Sequence, residues 1–211
     1  MKKFNKLIIA CDGESASGKS TAAKLISKKY RLLLINSGLL YRYASQLIIK
    51  NEPKNYIYFI DNKFKNISYK TIVKQELHSE QISKHVAILA KNLEIRRIIN
   101  KFQKKIIKNN KKICVEGRDI ASKILAKNPK YDIAFYFKCN IDIASKRRWV
   151  DLKKKVPLKE IKRSLNKRTQ IDKKRKNSPL IKVKNAILIR TDKLSKKQVL
   201  SKMSKFIDDI N

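Results

Sequence analysis

The chain has 211 residues, the size of one α/β domain with room for a small insert. Hydrophobic residues make up 42% of it, enough for a core, so a formal charge of +36 does not make it a disordered chain. No apolar stretch is long enough to cross a membrane, and the first apolar run, Leu7 to Cys11, is too short for the centre of a secretory leader, so a cytoplasmic protein is expected.

The 53 Lys and Arg residues are dispersed from Lys2 to Lys205, and runs such as Lys153 to Lys155 and Lys173 to Lys176 are short. An even spread reads as compositional bias, whereas a nucleic-acid footprint would be a patch. No nucleic-acid partner is expected. Cys11, Cys114 and Cys139 form no metal-binding spacing and read as reduced thiols.

In chain order, Leu7 to Cys11 is a continuous apolar run ending at Asp12-Gly13, the pattern of a strand buried on both faces. Leu32 to Ile35, Ile113 to Val115, Ile133 to Phe137 and Ala186 to Ile189 repeat it. Helical spacing lies between, as in Ala22, Ala23, Leu25 and Ile26, and in Ile95, Ile98, Ile99, Phe102 and Ile106. The expected fold is α/β: one three-layer α/β/α domain over 1–211 with a five-stranded parallel sheet. Residues about 51–88 are too many for a connecting loop and read as an inserted subdomain. Residues about 146–176 are densely charged and read as a helical arm. The core is then 1–50, 89–145 and 177–211. Gly13, Gly18, Gly38 and Gly117 are the only glycines, and each follows a strand. That places backbone work at the sheet's carboxyl edge, where ligands bind in such folds.

The stretch Gly13, Glu14, Ser15, Ala16, Ser17, Gly18, Lys19, Ser20, Thr21 fits the G-x-x-x-x-G-K-[ST] phosphate loop, with a strand before it and a helix after it. Gly13 and Gly18 let the chain wrap a polyphosphate. Lys19 reaches the terminal phosphates, and the Ser20 hydroxyl suits Mg²⁺. Asp12 and Glu116, each at a strand's carboxyl end, could hold Mg²⁺ through water. ATP or GTP is the expected ligand. No Ser-His-Asp or Cys-His arrangement is evident, and His78 and His85 have no metal partners in the sequence.

"LLLINSGLLYRYAS", "VEGRDI" and "RTQIDKKRKNSPL" follow in order. With the phosphate loop they resemble bacterial cytidylate kinase over nearly the whole chain. The resemblance implies a monomeric ATP- and Mg²⁺-dependent kinase for CMP or dCMP, with 51–88 in the acceptor-binding subdomain and 146–176 as a lid. It implies that Ser37 and Arg42 contact the acceptor nucleotide, Arg42 at its phosphate. Arg118 and Arg175 would join Arg42 there, and Asp119 would accept from the cytosine amino group. Asp172 would contact the sugar, with Arg168 near the sugar and phosphates. Arg96 would read the base, although neighbouring Arg97 leaves the register open. Arg147 and Arg148 would close over ATP. A spacing of four and three puts Arg168, Asp172 and Arg175 on one helix face. The chain departs from the family at Glu14, Ala16, Asn36 and Thr169, at Ala121 to Ala126, and at Ala87, where a base-contacting Ser is usual. A kinase for another acceptor such as UMP, or an ATPase stimulated by nucleic acid, is the alternative.

Overall fold

A computed structural model describes residues 4–77 and 79–210, so His78 lies outside the described residues. The strands are β1 (Leu7–Gly13), β2 (Leu33–Asn36), β3 (Lys112–Gly117), β4 (Ile133–Lys138) and β5 (Ile187–Arg190). They form a five-stranded parallel sheet in the order β2-β3-β1-β4-β5, as the apolar runs predict. In register, Cys11 of β1 faces Glu116 of β3 and Phe135 of β4. All seven residues of β1 are buried, which is why its sequence is a continuous apolar run rather than an alternating one.

The helices are α1 (Lys19–Tyr30), α2 (Ser37–Asn51), α3 (Tyr56–Lys65), α4 (Tyr69–Val73), α5 (Glu80–Leu89), α6 (Leu93–Lys108), α7 (Ile141–Asp151), α8 (Leu158–Lys174) and α9 (Lys196–Asp208). A single π-helical turn, Ile120–Ile124, follows β3. The chain divides into two compact units, residues 1–35 with 110–211, and residues 36–109. The expected insert lies inside the second. The expected lid spans the end of α7 and all of α8.

In the first unit, Leu7, Ile9, Cys11, Phe135 and Phe137 form one face of the sheet, under Ala22, Ala23 and Ile26 of α1 and Val199, Met203 and Ile207 of α9. Phe135 and Phe137 are among the largest fully buried side chains. Burial of each is worth about 2–3 kcal/mol. Cys11 Sγ and Cys114 Sγ lie 3.9 Å apart, and all three cysteines are free and buried. That contact and burial push the Cys11 thiol well above its ordinary value.

The second unit is helical, with its own core of Leu40, Tyr43, Ile60, Phe64, Ile72, Leu77, Leu89, Ile95 and Ile99. Phe64 meets Tyr43 and Phe102 edge-on at 5.8 and 5.2 Å. Side chains of Asn36, Asn55, Ser68, Ser79 and Asn92 cap α2, α3, α4, α5 and α6. Each accepts from a first-turn N–H that would otherwise have no partner. Asn36 thus serves as a cap where an Asp is usual, accepting from Leu39 N–H.

Candidate active site

The phosphate loop joins β1 to α1. A Cβ on Gly13 would lie 2.5 Å from the Phe137 carbonyl oxygen of β4. Gly13 is therefore required by the neighbouring strand, before any ligand is considered. Gly18 has φ +80°, a left-handed conformation that suits glycine. Ala16 has φ +55° without being glycine, at a cost of about 1 kcal/mol. Glu14 carbonyl accepts from Ser17 Oγ at 2.9 Å, and Ser17 carbonyl accepts from Thr191 Oγ1 at 3.0 Å. Helix α1 has neither a side-chain cap nor an acid in its first turn. Its N-terminal N–H groups and partial positive charge are left to an anion.

Lys19 and Glu116 are buried and ion-paired at 3.0 Å. Ser20 Oγ donates to the same Glu116 oxygen at 2.6 Å. Burial pushes the Lys19 amine below its ordinary value, and Glu116 opposes that shift. Asp12, 2% exposed, accepts from the backbone N–H groups of Ile120 and Ala121, both at 2.8 Å. Burial pushes its carboxyl up to about 6 despite those bonds. Both Asp12 oxygens are committed to the π-helical turn. Of the two acids considered for Mg²⁺, Glu116 is the one bonded to the loop's lysine and serine.

Arg118 Nε donates to Asp172 at 2.8 Å, and its other nitrogens reach the Gly117 carbonyl at 3.2 Å and Ser15 Oγ at 3.5 Å. Arg175 pairs with Asp172 at 3.6 Å and donates to the Ser178 carbonyl at 2.8 Å. Helix α8 stops at Lys174, so Arg175 lies just beyond the face that carries Asp172. Arg168 is exposed. Two departures from the family meet here. Lys173 pairs with Glu14 at 2.7 Å, which neutralises the acid added to the loop. The Thr169 hydroxyl accepts from Ser15 N–H at 3.4 Å. Asp119 is buried at the start of the π-helical turn. Arg147 donates to Thr191 Oγ1 at 3.2 Å and to the Thr191 carbonyl at 2.7 Å. Arg148 beside it is half-buried.

In the second unit Ser37 opens α2. Arg42, one turn on, donates to the Leu77 carbonyl at 2.9 Å and Ser83 Oγ at 3.0 Å. Arg96 is buried, donates to the Ala90 carbonyl at 3.3 Å and lies 5.7 Å from the Tyr41 ring centre. Arg97 is exposed and paired with Glu94. Ala87 is half-buried on α5.

Sequence reasoning did not single out Gln103 or Thr191. Thr191 leaves no local signal. Gln103 does, as a polar residue in a helical isoleucine stripe. Among the described residues no group of three or more metal-ligating side chains occurs, and no helix is long and apolar enough to cross a membrane.

A family model described as cytidylate kinase matches residues 9–209. The cytidylate kinase of Clostridium tetani (strain Massachusetts / E88) is 34% identical over 96% of this chain and 94% of its own length. A bifunctional pantoate ligase/cytidylate kinase of Prochlorococcus marinus (strain AS9601) is 33% identical over 96% of this chain, which spans 43% of that longer protein. Among solved structures, an uncharacterized protein from Eubacterium ventriosum ATCC 27560 superposes with a TM-score of 0.60 at 20% identity, covering 97% of this chain and 99% of that one. That last likeness speaks to the fold alone.

Proposed function

The chain belongs to the cytidylate kinase family, and we propose that it transfers the γ-phosphoryl group of ATP to CMP or dCMP, giving ADP and CDP or dCDP. The observation that carries this reading is Glu116 bridging Lys19 and Ser20 at the head of the uncapped α1. That group is poised to exchange a carboxylate for phosphate oxygens.

The bond from the γ-phosphorus to the β,γ-bridging oxygen breaks, and a bond from a CMP phosphate oxygen to that phosphorus forms. The electron pair leaves with ADP. No covalent intermediate with the protein is needed, so the chain's part is positioning and charge neutralisation. Lys19 and the loop N–H groups hold the donor phosphates. Arg42, Arg118 and Arg175 take the acceptor phosphate, and Arg168 the sugar–phosphate region. Asp172 takes the sugar. Asp119 accepts from the cytosine amino group, and Arg96 reads the base. Arg147 and Arg148 serve ATP, Arg147 by giving up its bonds to Thr191.

Ser20 Oγ and the Glu116 carboxylate are hard oxygen donors 2.6 Å apart, the chemistry that Mg²⁺ takes. Ser20 would hold the ion directly and Glu116 through water, and the ion would supply charge neutralisation of the donor phosphates. Closure of the α7–α8 segment keeps water from the γ-phosphate. The family resemblance supports a cytoplasmic monomer that acts without nucleic acid.

The test is ADP release from Mg-ATP with CMP, dCMP, UMP, AMP, GMP or single-stranded RNA. Turnover with CMP and dCMP at least about tenfold above the others is expected, the scale of one lost base contact. Equal turnover with UMP overturns the base assignment. Stimulation by RNA alone overturns the kinase.

A further inference from the structure

We propose that Gln103 is a positioning residue that sets the direction of the Ser37 hydroxyl, so that its hydrogen is presented to the acceptor nucleotide. The proposal rests on the reading of Ser37 as an acceptor-site residue. Gln103 is 1% exposed on α6, and its Nε2 donates to Ser37 Oγ at 2.6 Å, across 66 positions of sequence.

Position 103 belongs to a buried stripe with Ile95, Ile99 and Ile107, spaced by fours. A hydrocarbon is the default side chain there. An amide inside such a stripe costs stability unless it is bonded, and here the bond goes to Ser37. A serine hydroxyl has one hydrogen to donate and two lone pairs to accept with. Gln103 fills a lone pair, so the hydrogen must find another acceptor. Ser37 is the first residue of α2, and the backbone groups exposed at that end are N–H donors, which cannot accept it. CMP supplies acceptors: phosphate oxygens, and N3 and O2 of cytosine. Ser37 is thus held as a donor, in an orientation fixed before substrate arrives.

The experiment measures kcat and the KM values for CMP and ATP in Ser37→Ala, Gln103→Met, Gln103→Glu and the Ser37→Ala/Gln103→Met double variant. Ser37→Ala is expected to raise the CMP KM about tenfold, the worth of one hydrogen bond to a charged group. Gln103→Met, close in size, raises it several-fold, with kcat changed less and the ATP KM unchanged. The double variant matches Ser37→Ala. Gln103→Glu replaces a donor by an acceptor that takes the Ser37 hydrogen, so its CMP KM rises at least as far as in Ser37→Ala. Hydrogen exchange in α3 and α6 matching the parent shows that the second unit of each variant is folded, and an unchanged ATP KM shows the same of the first. A Gln103→Met effect that persists in full without the Ser37 hydroxyl overturns the proposal, as does a Gln103→Glu enzyme with the parent CMP KM. If Ser37→Ala itself leaves the CMP KM unchanged, the acceptor-site reading of Ser37 falls and the proposal falls with it.

Discussion

Lys19, Arg118 and Arg175 of the first unit are held differently from Arg42 and Arg96 of the second. In the first, Lys19 is paired with Glu116, Arg118 and Arg175 with Asp172, and Lys173 with Glu14. In the second, carbonyl and hydroxyl oxygens hold Arg42, and a carbonyl and a ring hold Arg96. The Lys19–Glu116 pair keeps a buried charge neutral until phosphate replaces carboxylate, as a buried ion requires. In the second, these carbonyl, hydroxyl and ring contacts orient the arginine forks, and a neutral contact is given up at lower cost than a charged one. The Lys19–Glu116 pair at the donor loop is therefore charge-exchanging, while Arg42 and Arg96 on the acceptor side are pre-oriented by the contacts named.

The largest expected effect tests the donor side. Lys19→Met should lower kcat/KM about 10²–10³-fold, the loss for removing one preorganised charge donor, while calorimetric CMP affinity stays within about twofold. A matching collapse of CMP affinity would erase the contrast.

Next is the core of the second unit. Phe64→Ala should destabilise it by about 3–5 kcal/mol. Hydrogen exchange should quicken in α3 and α6 and stay slow in β1 and β4. Uniform loss of protection would show that the two units open together.

Asp12 sharpens the first unit's side. Its carboxyl lies near 6 in the fold against 3.8 ordinarily, so the native state binds the extra proton. Its contribution is most favourable below about pH 4 and is lost as pH rises through 6, by about 3 kcal/mol in all. Asp12→Asn lacks this titration. The stability of the parent minus that of the variant, from urea unfolding at pH 4 to 7, should fall by about that amount. A flat difference would contradict the burial of a titrating Asp12.

The smallest effect is at Ala16. Ala16→Gly relieves the left-handed strain and adds unfolded-chain entropy, a net gain of at most about 1 kcal/mol. Thermal unfolding reads it, and a loss would mean that the Ala16 methyl packs.

The sheet was legible because its central strands β1, β3 and β4 are buried on both faces, which leaves continuous apolar runs, and because the edge strands β2 and β5 are apolar runs too, although Leu33 and Leu188 are exposed. The phosphate loop was legible because its parts are contiguous. The acceptor-side reading was less direct. Counting apolar residues puts Ile98, Phe102 and Ile106 on the buried face of α6, and they are only partly buried. The deepest face holds Ile95, Arg96, Ile99, Gln103 and Ile107. Two polar residues hide that face from a hydrophobicity pattern, because their partners are bonded only after folding. Arg175 likewise falls outside α8 because the backbone turns extended there, with ψ 132°.

By itself the sequence determined the order of strands and helices, the Gly13 to Thr21 loop, and the membership of a kinase family. These are properties of local pattern, set by periodicity and by residues adjacent in the chain. Only the tertiary structure decided that Glu116 bridges Lys19 and Ser20, that Thr169 and Lys173 answer the changed loop, and that Gln103 meets Ser37. Those pairings join residues 66 to 159 positions apart, and the chain specifies them only through the packing that brings their elements together.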